Sequence, residues 1–546
     1  MKLWLFRGIA LSVPVLFFLL LESGLRWAGL YQSWPLFIAN PAADDYLLTR
    51  PDVIKRYFPS GSAVPHVTVE PTFFLKTKAD NGLRLVVQGE STTAGYPYGL
   101  GASLAGMLDQ RLKRTFPERK VEVINTAMSA VNSFALLDFA DEIIAQQPDA
   151  VLIYVGHNEY LGVLGVGSSY SSSNSAAFNL LYMKLRRLAT FQTAQDLYQQ
   201  WQLPQTQQDT GRTLMARVAQ GQHIAFDSDL YHAGLQQFEQ NLSLLLDKYQ
   251  QAGIAVYIAT IASNIADQPP FVSEALTAQQ QQMLSQIQRP EIRQQLEQMA
   301  NAQHHAALSY ELGQYYRKTQ QHSEALLWLT RAKDFDQLRF RAPSAINQQI
   351  RQLAARYGAV LVDVEQAFIR QSALGLVGKS LMLEHLHPNV QGYFILADSF
   401  YQQLKRQQFA GRWQRVIEPQ VAWAQRPLLP AEEFAGAARI LQLTSDYPFV
   451  PQPQPLVLPA AKDWQQQLGL DYFHGKISWI RMLDLSYQGY QQRHDRAMLL
   501  KTTLILADAL PQHQQLNALA AAMLRQQNRS AEAVFYQQRA ELATPR

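Results

Sequence analysis

Between residues 83 and 368, short apolar runs alternate with longer stretches in which apolar residues recur every three or four positions. The runs "LRLVVQG" (83–89), "VEVINTA" (121–127), "DAVLIYVG" (149–156), "IAVYIATIA" (254–262) and "AVLVDVEQAF" (359–368) are rich in β-branched residues and carry little polar alternation. Such runs fit strands buried on both faces. Between them, "GASLAGMLDQRLKRTF", "SFALLDFADEIIAQQ", "DLYHAGLQQFEQNLSLLLDKYQQAG" and "INQQIRQLAARYG" have helical spacing. Strand and helix in alternation predict an α/β domain over about residues 80–410, its parallel sheet covered on both sides.

Two stretches interrupt the alternation. Residues 162–179, "GVLGVGSSYSSSNSAAFN", are Gly/Ser-rich without period, which predicts a loop placed to act as a lid. Residues 275–340 are Gln-rich and helical, and Leu312, Gly313, Tyr316, Ala325, Leu329 and Ala332 fall at tetratricopeptide packing positions. One such hairpin cannot bury its faces alone and must pack on the sheet or on another repeat. The Pro-rich stretch 447–463 reads as a linker to a C-terminal all-α region, 464–546. There Pro511 and Pro545 stand one tetratricopeptide period apart, with Ala521, Leu524, Ala533 and Ala540 between them; a plain helical hairpin fits almost as well.

The first 30 residues differ from all of this. Lys2 and Arg7 precede an uncharged apolar run ending at Leu21, with no clean Ala-x-Ala cleavage site after it. The expectation is an uncleaved signal anchor: a single transmembrane helix in the inner membrane, the bulk of the chain periplasmic. The 546 residues hold no cysteine, which removes disulfides and thiolate chemistry. A formal net charge of +4 without any basic block gives no case for nucleic acid.

Chemistry concentrates in four segments. "GES" (89–91) ends a strand, so Ser91 is either a nucleophile or a helix N-cap. Glu384 lies three residues before His387, a spacing at which a short turn sets a carboxylate beside an imidazole. "GHNE" (156–159) puts Asn158 at a strand's C-terminal end, where open α/β sheets bind ligands. "NTAMSA" (125–130) leaves a strand through small residues whose N–H groups can point outward. Glu384, His385 and His387 together suggest a rival metal site, but a closed zinc site needs further ligands and none clusters nearby. No metal or cofactor is expected.

These segments, in this order, resemble the SGNH hydrolases, or GDSL esterase and lipase superfamily, whose blocks read Gly-Asp-Ser, a small-residue turn ending in Gly, Gly-x-Asn-Asp, and Asp-x-x-His. The chain is also similar to membrane-anchored bacterial members with tetratricopeptide repeats. The resemblance implies a flavodoxin-like three-layer fold, with the helical hairpin inserted before the last block. It makes Ser91 the nucleophile, His387 the base and Glu384 its partner. The Ser91 N–H, the Ala130 N–H and the Asn158 amide would form the oxyanion hole. Three family aspartates are glutamates here, Glu90, Glu159 and Glu384. Ala130 stands for a glycine and keeps the donor's aim only at negative φ. Glu90, Asn264 (in "SNIADQPPF") and Tyr96 are expected to contact substrate.

The expected activity is that of an extracytoplasmic serine esterase working through an acyl-enzyme, with an acylated small molecule or an O-acetylated envelope or exported polysaccharide as substrate. Transfer of the acyl group to a glycan is the alternative, and a non-catalytic tetratricopeptide scaffold recruiting envelope proteins is another. Expected partners are that substrate, the membrane through the N-terminal helix, and a protein bound by the helical repeats.

Overall fold

The computed structural model describes residues 2–58, 64, 67–168, 176–201, 212–219 and 222–542. Its first three strands, β1 (Phe37–Asn40), β2 (Ala43–Thr49) and β3 (Phe73–Leu75), form a small antiparallel sheet. No strand was predicted there, because these runs are short and mixed with polar residues. The next five, β4 (Gly82–Gly89), β5 (Lys120–Asn125), β6 (Ala150–Tyr154), β7 (Ala255–Ala259) and β8 (Val360–Val362), make the predicted parallel sheet in the order β5-β4-β6-β7-β8. Every residue of β4 and β6 is buried, which explains their lack of polar alternation.

Helices cover both faces. Leu104–Thr115 packs with Val390–Arg406 on one side, and Ser133–Ile144, Asp229–Gln251 and Ser344–Tyr357 pack together on the other. Chain order reverses between β4 and β6, so the connections that leave their C-terminal ends run to opposite sides, the arrangement that leaves a crevice in open α/β sheets. The Ser91 segment follows β4 and the Asn158 segment β6, while the Ala130 segment follows the neighbouring β5.

The segment between β7 and β8 contains the antiparallel helices Ala306–Lys318 and His322–Phe335. Leu312, Gly313, Tyr316, Ala325, Leu329 and Ala332 are all buried, and Leu312, Tyr316, Ala325 and Leu329 share a core with Ile265, Ala266 and Leu376 of the α/β part. The approach is close: a Cβ on Gly313 would sit 2.7 Å from Leu329 Cδ2. Near the C-terminus, Ala521, Leu524, Ala533 and Ala540 are buried between helices Gln514–Gln526 and Ser530–Leu542, while Pro545 lies outside the described residues. This region docks on Leu104–Thr115 through Lys113–Asp508 (2.8 Å) and Arg114–Glu532 (3.1 Å). Both hairpins thus rest on the α/β part. The Pro-rich stretch carries no helix or strand, but its Phe449 packs on Phe271 and His385.

The N-terminal expectation fails. Residues Lys2–Trp27 form a helix, yet among the described residues no helix is long and apolar enough to cross a membrane. The uncharged run between Arg7 and Glu22 spans about 21 Å at ~1.5 Å per residue, against a hydrocarbon core of ~30 Å. The helix's last turns are tied to protein instead: Glu22 accepts the N–H groups of Ala189 (2.8 Å) and Thr190 (2.9 Å), and Arg26 donates to the Arg187 carbonyl at 2.8 Å. The single-pass inner-membrane placement is therefore corrected, and the argument for a periplasmic bulk falls with it.

Candidate active site

Strand β4 ends at Gly89, where the chain turns so tightly that a Cβ would lie 2.0 Å from Thr93 Oγ1 and 2.3 Å from the Tyr154 carbonyl oxygen. Thr93 Oγ1 donates to that same carbonyl at 2.7 Å, pinning the turn to β6. Ser91 opens the one-turn helix Ser91–Ala94, and the capping position before it is Glu90. The Ser91 hydroxyl caps nothing. It meets His387 Nε2 at 2.8 Å, across 296 residues of sequence.

His387 sits in a loop closed on itself. Leu383 N–H donates to the His387 carbonyl at 2.8 Å, and Asn389 then caps the helix Val390–Arg406 by accepting from Gly392 N–H at 3.0 Å. Within the loop, Glu384 Oε1 accepts the His387 N–H at 3.0 Å and contacts the ring at Nδ1, while Oε2 accepts the His385 N–H at 2.6 Å. Burial holds the His387 pKa below the ordinary histidine value, so the ring is neutral and Nε2 is free to accept a proton. The Tyr96 ring packs on the imidazole, centroids 4.7 Å apart, which places Tyr96 beside the reacting atoms.

The three expected oxyanion donors lie on the segments that follow β4, β5 and β6. As the first residue of a helix, Ser91 has an N–H with no intrahelical acceptor. Asn158 Nδ2 donates one hydrogen to the Val131 carbonyl at 3.0 Å and keeps the other. Ala130 N–H has no acceptor within the described protein. The condition of a negative φ at Ala130 is not met: φ is 64°, in the region glycine favours, while the Ala130 carbonyl is held by Val163 N–H at 2.8 Å. The turn keeps a glycine-like conformation and strains the alanine by roughly 1–2 kcal/mol.

Two expected substrate contacts point elsewhere. Glu90 is buried, and its carboxylate accepts the N–H groups of Gly156 (3.2 Å), His157 (2.9 Å) and Asn158 (3.1 Å). Burial pushes its pKa up to about 8, and these N–H groups oppose the shift. Glu90 thus positions the Asn158 turn. Asn264 is likewise fully buried; its Nδ2 donates to the Glu384 carbonyl at 2.9 Å and its N–H to the His385 carbonyl at 2.9 Å, so it braces the histidine loop. Glu159 also faces inward, accepting from Ser133 Oγ at 2.8 Å and from Gln237.

Sequence reasoning missed a further brace. Arg341 donates to the Asn264 carbonyl at 2.9 Å and pairs with buried Asp336 at 3.1 Å; neither residue lies near a motif, so only the fold reveals the link. His157 is fully enclosed: its Nδ1 accepts the Ala342 N–H at 3.4 Å, and burial lowers the ring's pKa to about 3. Glu384, His385 and His387 bring ligand-type atoms within 4.8 Å of one another. A cation there would displace His387 from Ser91 or from Glu384. Of the expected lid, residues 169–175 lie outside the described residues.

Among curated protein sequences none matches the chain. Similar solved structures include the acetylxylan esterase Axe2 from Geobacillus stearothermophilus, at 16% identity over 62% of this chain and 99% of that one, with a TM-score of 0.28. The psychrotrophic esterase EstA from Pseudoalteromonas sp. is similar at 13% identity over 59% and 97%, TM-score 0.27. A GDSL-like lipase from Bacteroides thetaiotaomicron matches at 11% identity over 61% and 93%, TM-score 0.28. Residues 87–395, more than half of the chain and enclosing every residue from the nucleophile turn to the histidine loop, match the GDSL-like lipase/acylhydrolase family. With that span matched, the chain belongs to this family, the SGNH hydrolases, and is a serine ester hydrolase.

Proposed function

We propose that Ser91, His387 and Glu384 are the catalytic triad of an esterase that removes short acyl groups, O-acetyl above all, from a hydroxyl-rich substrate such as a polysaccharide. The carrying observation is the relay itself, with Ser91 Oγ 2.8 Å from His387 Nε2 and the ring's Nδ1 on Glu384. Ser91 Oγ attacks the ester carbonyl carbon as its proton passes to Nε2, and Glu384 steadies the imidazolium. The carbonyl oxygen takes up negative charge facing the Ser91 and Ala130 N–H groups and the free Asn158 amide hydrogen. Collapse expels the alcohol, protonated by His387. Water, deprotonated by the same ring, then releases the acid from Ser91.

A non-catalytic scaffold has no use for a serine bonded to a carboxylate-backed histidine. The inserted and C-terminal hairpins belong to the same proposal as tetratricopeptide-like units that pack on the hydrolase and leave their outer helices for a protein partner.

The test uses the full chain with p-nitrophenyl acetate, butyrate and octanoate, beside a fluorophosphonate label. Acetate is expected to be the best ester, with labelling confined to Ser91. Preference for octanoate would sink the short-acyl reading, and labelling that survives Ser91→Ala would sink the triad. Acetylated maltotriose offered with unacetylated acceptor separates free acetate from transferred acetyl.

A further inference from the structure

Between Gly375 and Val390 the chain that carries Glu384 and His387 is irregular, with one bridge from Met382 to Pro388, so its position is set largely by what it touches. Its neighbour is the segment after β7, residues 263–272, which is irregular too. Beyond the two bonds from Asn264 to the Glu384 and His385 carbonyls, the Ile265 and Ala266 N–H groups both donate to the Val377 carbonyl at 3.0 Å. Asp267 Oδ2 accepts the Lys379 N–H at 2.8 Å, and the Asp267 N–H donates to Asn264 Oδ1 at 2.9 Å. Two irregular segments thus hold each other, and the rigid reference for both must lie outside them.

The inserted hairpin supplies it. On the helix Ala306–Lys318, Tyr310, Gln314 and Arg317 are spaced by four and then three residues and so share one face. All three donate to a single acceptor, the Ala266 carbonyl: Tyr310 Oη at 3.3 Å, Gln314 Nε2 at 2.6 Å and Arg317 Nη1 at 3.0 Å. Arg317 Nη1 also meets Asp267 Oδ1 at 2.8 Å. The second helix, His322–Phe335, grips the far end of the same segment. Asp336, the residue after it, accepts the Phe271 and Val272 N–H groups at 2.9 and 3.0 Å and pairs with Arg341, which reaches the Asn264 carbonyl. Docking the hairpin requires only the apolar seat that Ile265 and Ala266 already give it. Three donors converging on a carbonyl with two lone pairs exceed what satisfying that oxygen needs, and they fix its place instead. We propose that Tyr310, Gln314 and Arg317 are positioning residues for His387: through residues 264–267 the hairpin holds the Glu384–His387 loop at hydrogen-bond distance from Ser91. The inference rests on the esterase reading of Ser91 and gives the insertion a part in catalysis.

Arg317 is partly exposed, so Arg317→Met, which keeps the stem and removes both bonds, leaves the core intact. In the full chain, kcat on p-nitrophenyl acetate per fluorophosphonate-titrated site is expected to fall about tenfold or more with KM within about twofold, because small displacements of a reacting group are costly. Arg317→Lys still bridges a carbonyl and a carboxylate and is expected to restore most of the rate. An arginine that served stability alone would lower the urea midpoint and the number of titratable sites, but not the turnover of each. Unchanged turnover per titrated site in Arg317→Met overturns the proposal. A second readout needs no turnover: NMR of the histidine rings in isotope-labelled protein, with the His387 signals identified by their loss in His387→Ala. Arg317→Met is expected to move those signals and Arg317→Lys to return them towards the wild-type positions. If the wild-type chain cleaves no ester, the esterase reading fails alone and the ring signals decide. His387 signals unmoved in Arg317→Met overturn the positioning role.

Discussion

The two ends of the parallel sheet are built to opposite rules. At the N-terminal ends of the strands, Arg84 is almost wholly buried and every donor has a partner. Its N–H meets Asp149 at 2.7 Å, Nε meets Glu122 at 2.8 Å, and Nη1 and Nη2 meet the Gln146 and Leu75 carbonyls at 2.9 and 2.7 Å. At the C-terminal ends, the Ser91 and Ala130 N–H groups have no acceptor among the described residues, and Ala130 holds a left-handed φ. Satisfied polar groups lock the sheet at one end, while at the other the proposed oxyanion donors are left without acceptors, as charge that develops only during reaction would require. Substitutions at the two ends should therefore fail in different observables.

The largest effect is expected at the reactive end. Ser91→Ala and His387→Ala should each lower kcat on p-nitrophenyl acetate by about 10⁴-fold or more, and the double variant little further, since the two act as a unit. Both should keep the wild-type urea midpoint to within about 1 kcal/mol; a large loss of stability would mean that the pair is structural. The pH profile carries a sign. His387 must be neutral to act as base, and burial lowers its pKa, so activity holds above that pKa and is lost as pH falls through it. The acid limb of kcat/KM should lie below the ordinary histidine value of ~6.5. A limb above it would show that Glu384 outweighs burial.

At the other end, Arg84→Met removes one partner of a buried charge pair, which typically costs about 3–5 kcal/mol. Urea unfolding should report that loss, while turnover per site titrated with the fluorophosphonate stays close to wild type. A fall in turnover per titrated site would break the separation between the ends.

That separation also bears on what the sequence could reveal. Near-continuous apolar runs such as residues 83–89 and 149–156 mark doubly covered strands, so the sheet was legible. Ser91 and Asn158 could be picked out as candidates because each follows a strand within a short motif, and His387 because Glu384 stands three residues before it ahead of a helix. Side-chain direction was not. Nothing in "GES" says that Glu90 turns inward to three backbone N–H groups, and nothing in "SNIADQPPF" says that Asn264 braces Glu384, because both partners are remote in sequence. The N-terminal run misled for a physical reason: composition reports apolarity, while crossing a bilayer also needs length, and the charges at Arg7 and Glu22 limit it.

Among the donors, Asn158→Ala should lower kcat by ~10²–10³-fold with little change in KM, the usual loss for one oxyanion-hole donor. The Val131 carbonyl that orients the amide would lose its partner as well, so a modest fall in the urea midpoint is expected alongside. A change in KM alone would move Asn158 from the oxyanion to substrate binding.

The smallest effect should come from Ala130→Gly, and its sign is informative. Glycine removes the left-handed strain on alanine, worth roughly 1–2 kcal/mol, but gives back about 0.4–1 kcal/mol through the freer unfolded chain. The net expectation is a gain of about 0.5 kcal/mol in the unfolding free energy read from urea titration, with kcat within about threefold of wild type because the N–H keeps its direction. Stabilisation without loss of rate would mean that the strain at this end is incidental to holding the donor. A tenfold fall in kcat would mean that the Ala130 methyl itself confines the acyl group, and that the alanine is part of how this enzyme selects a short one.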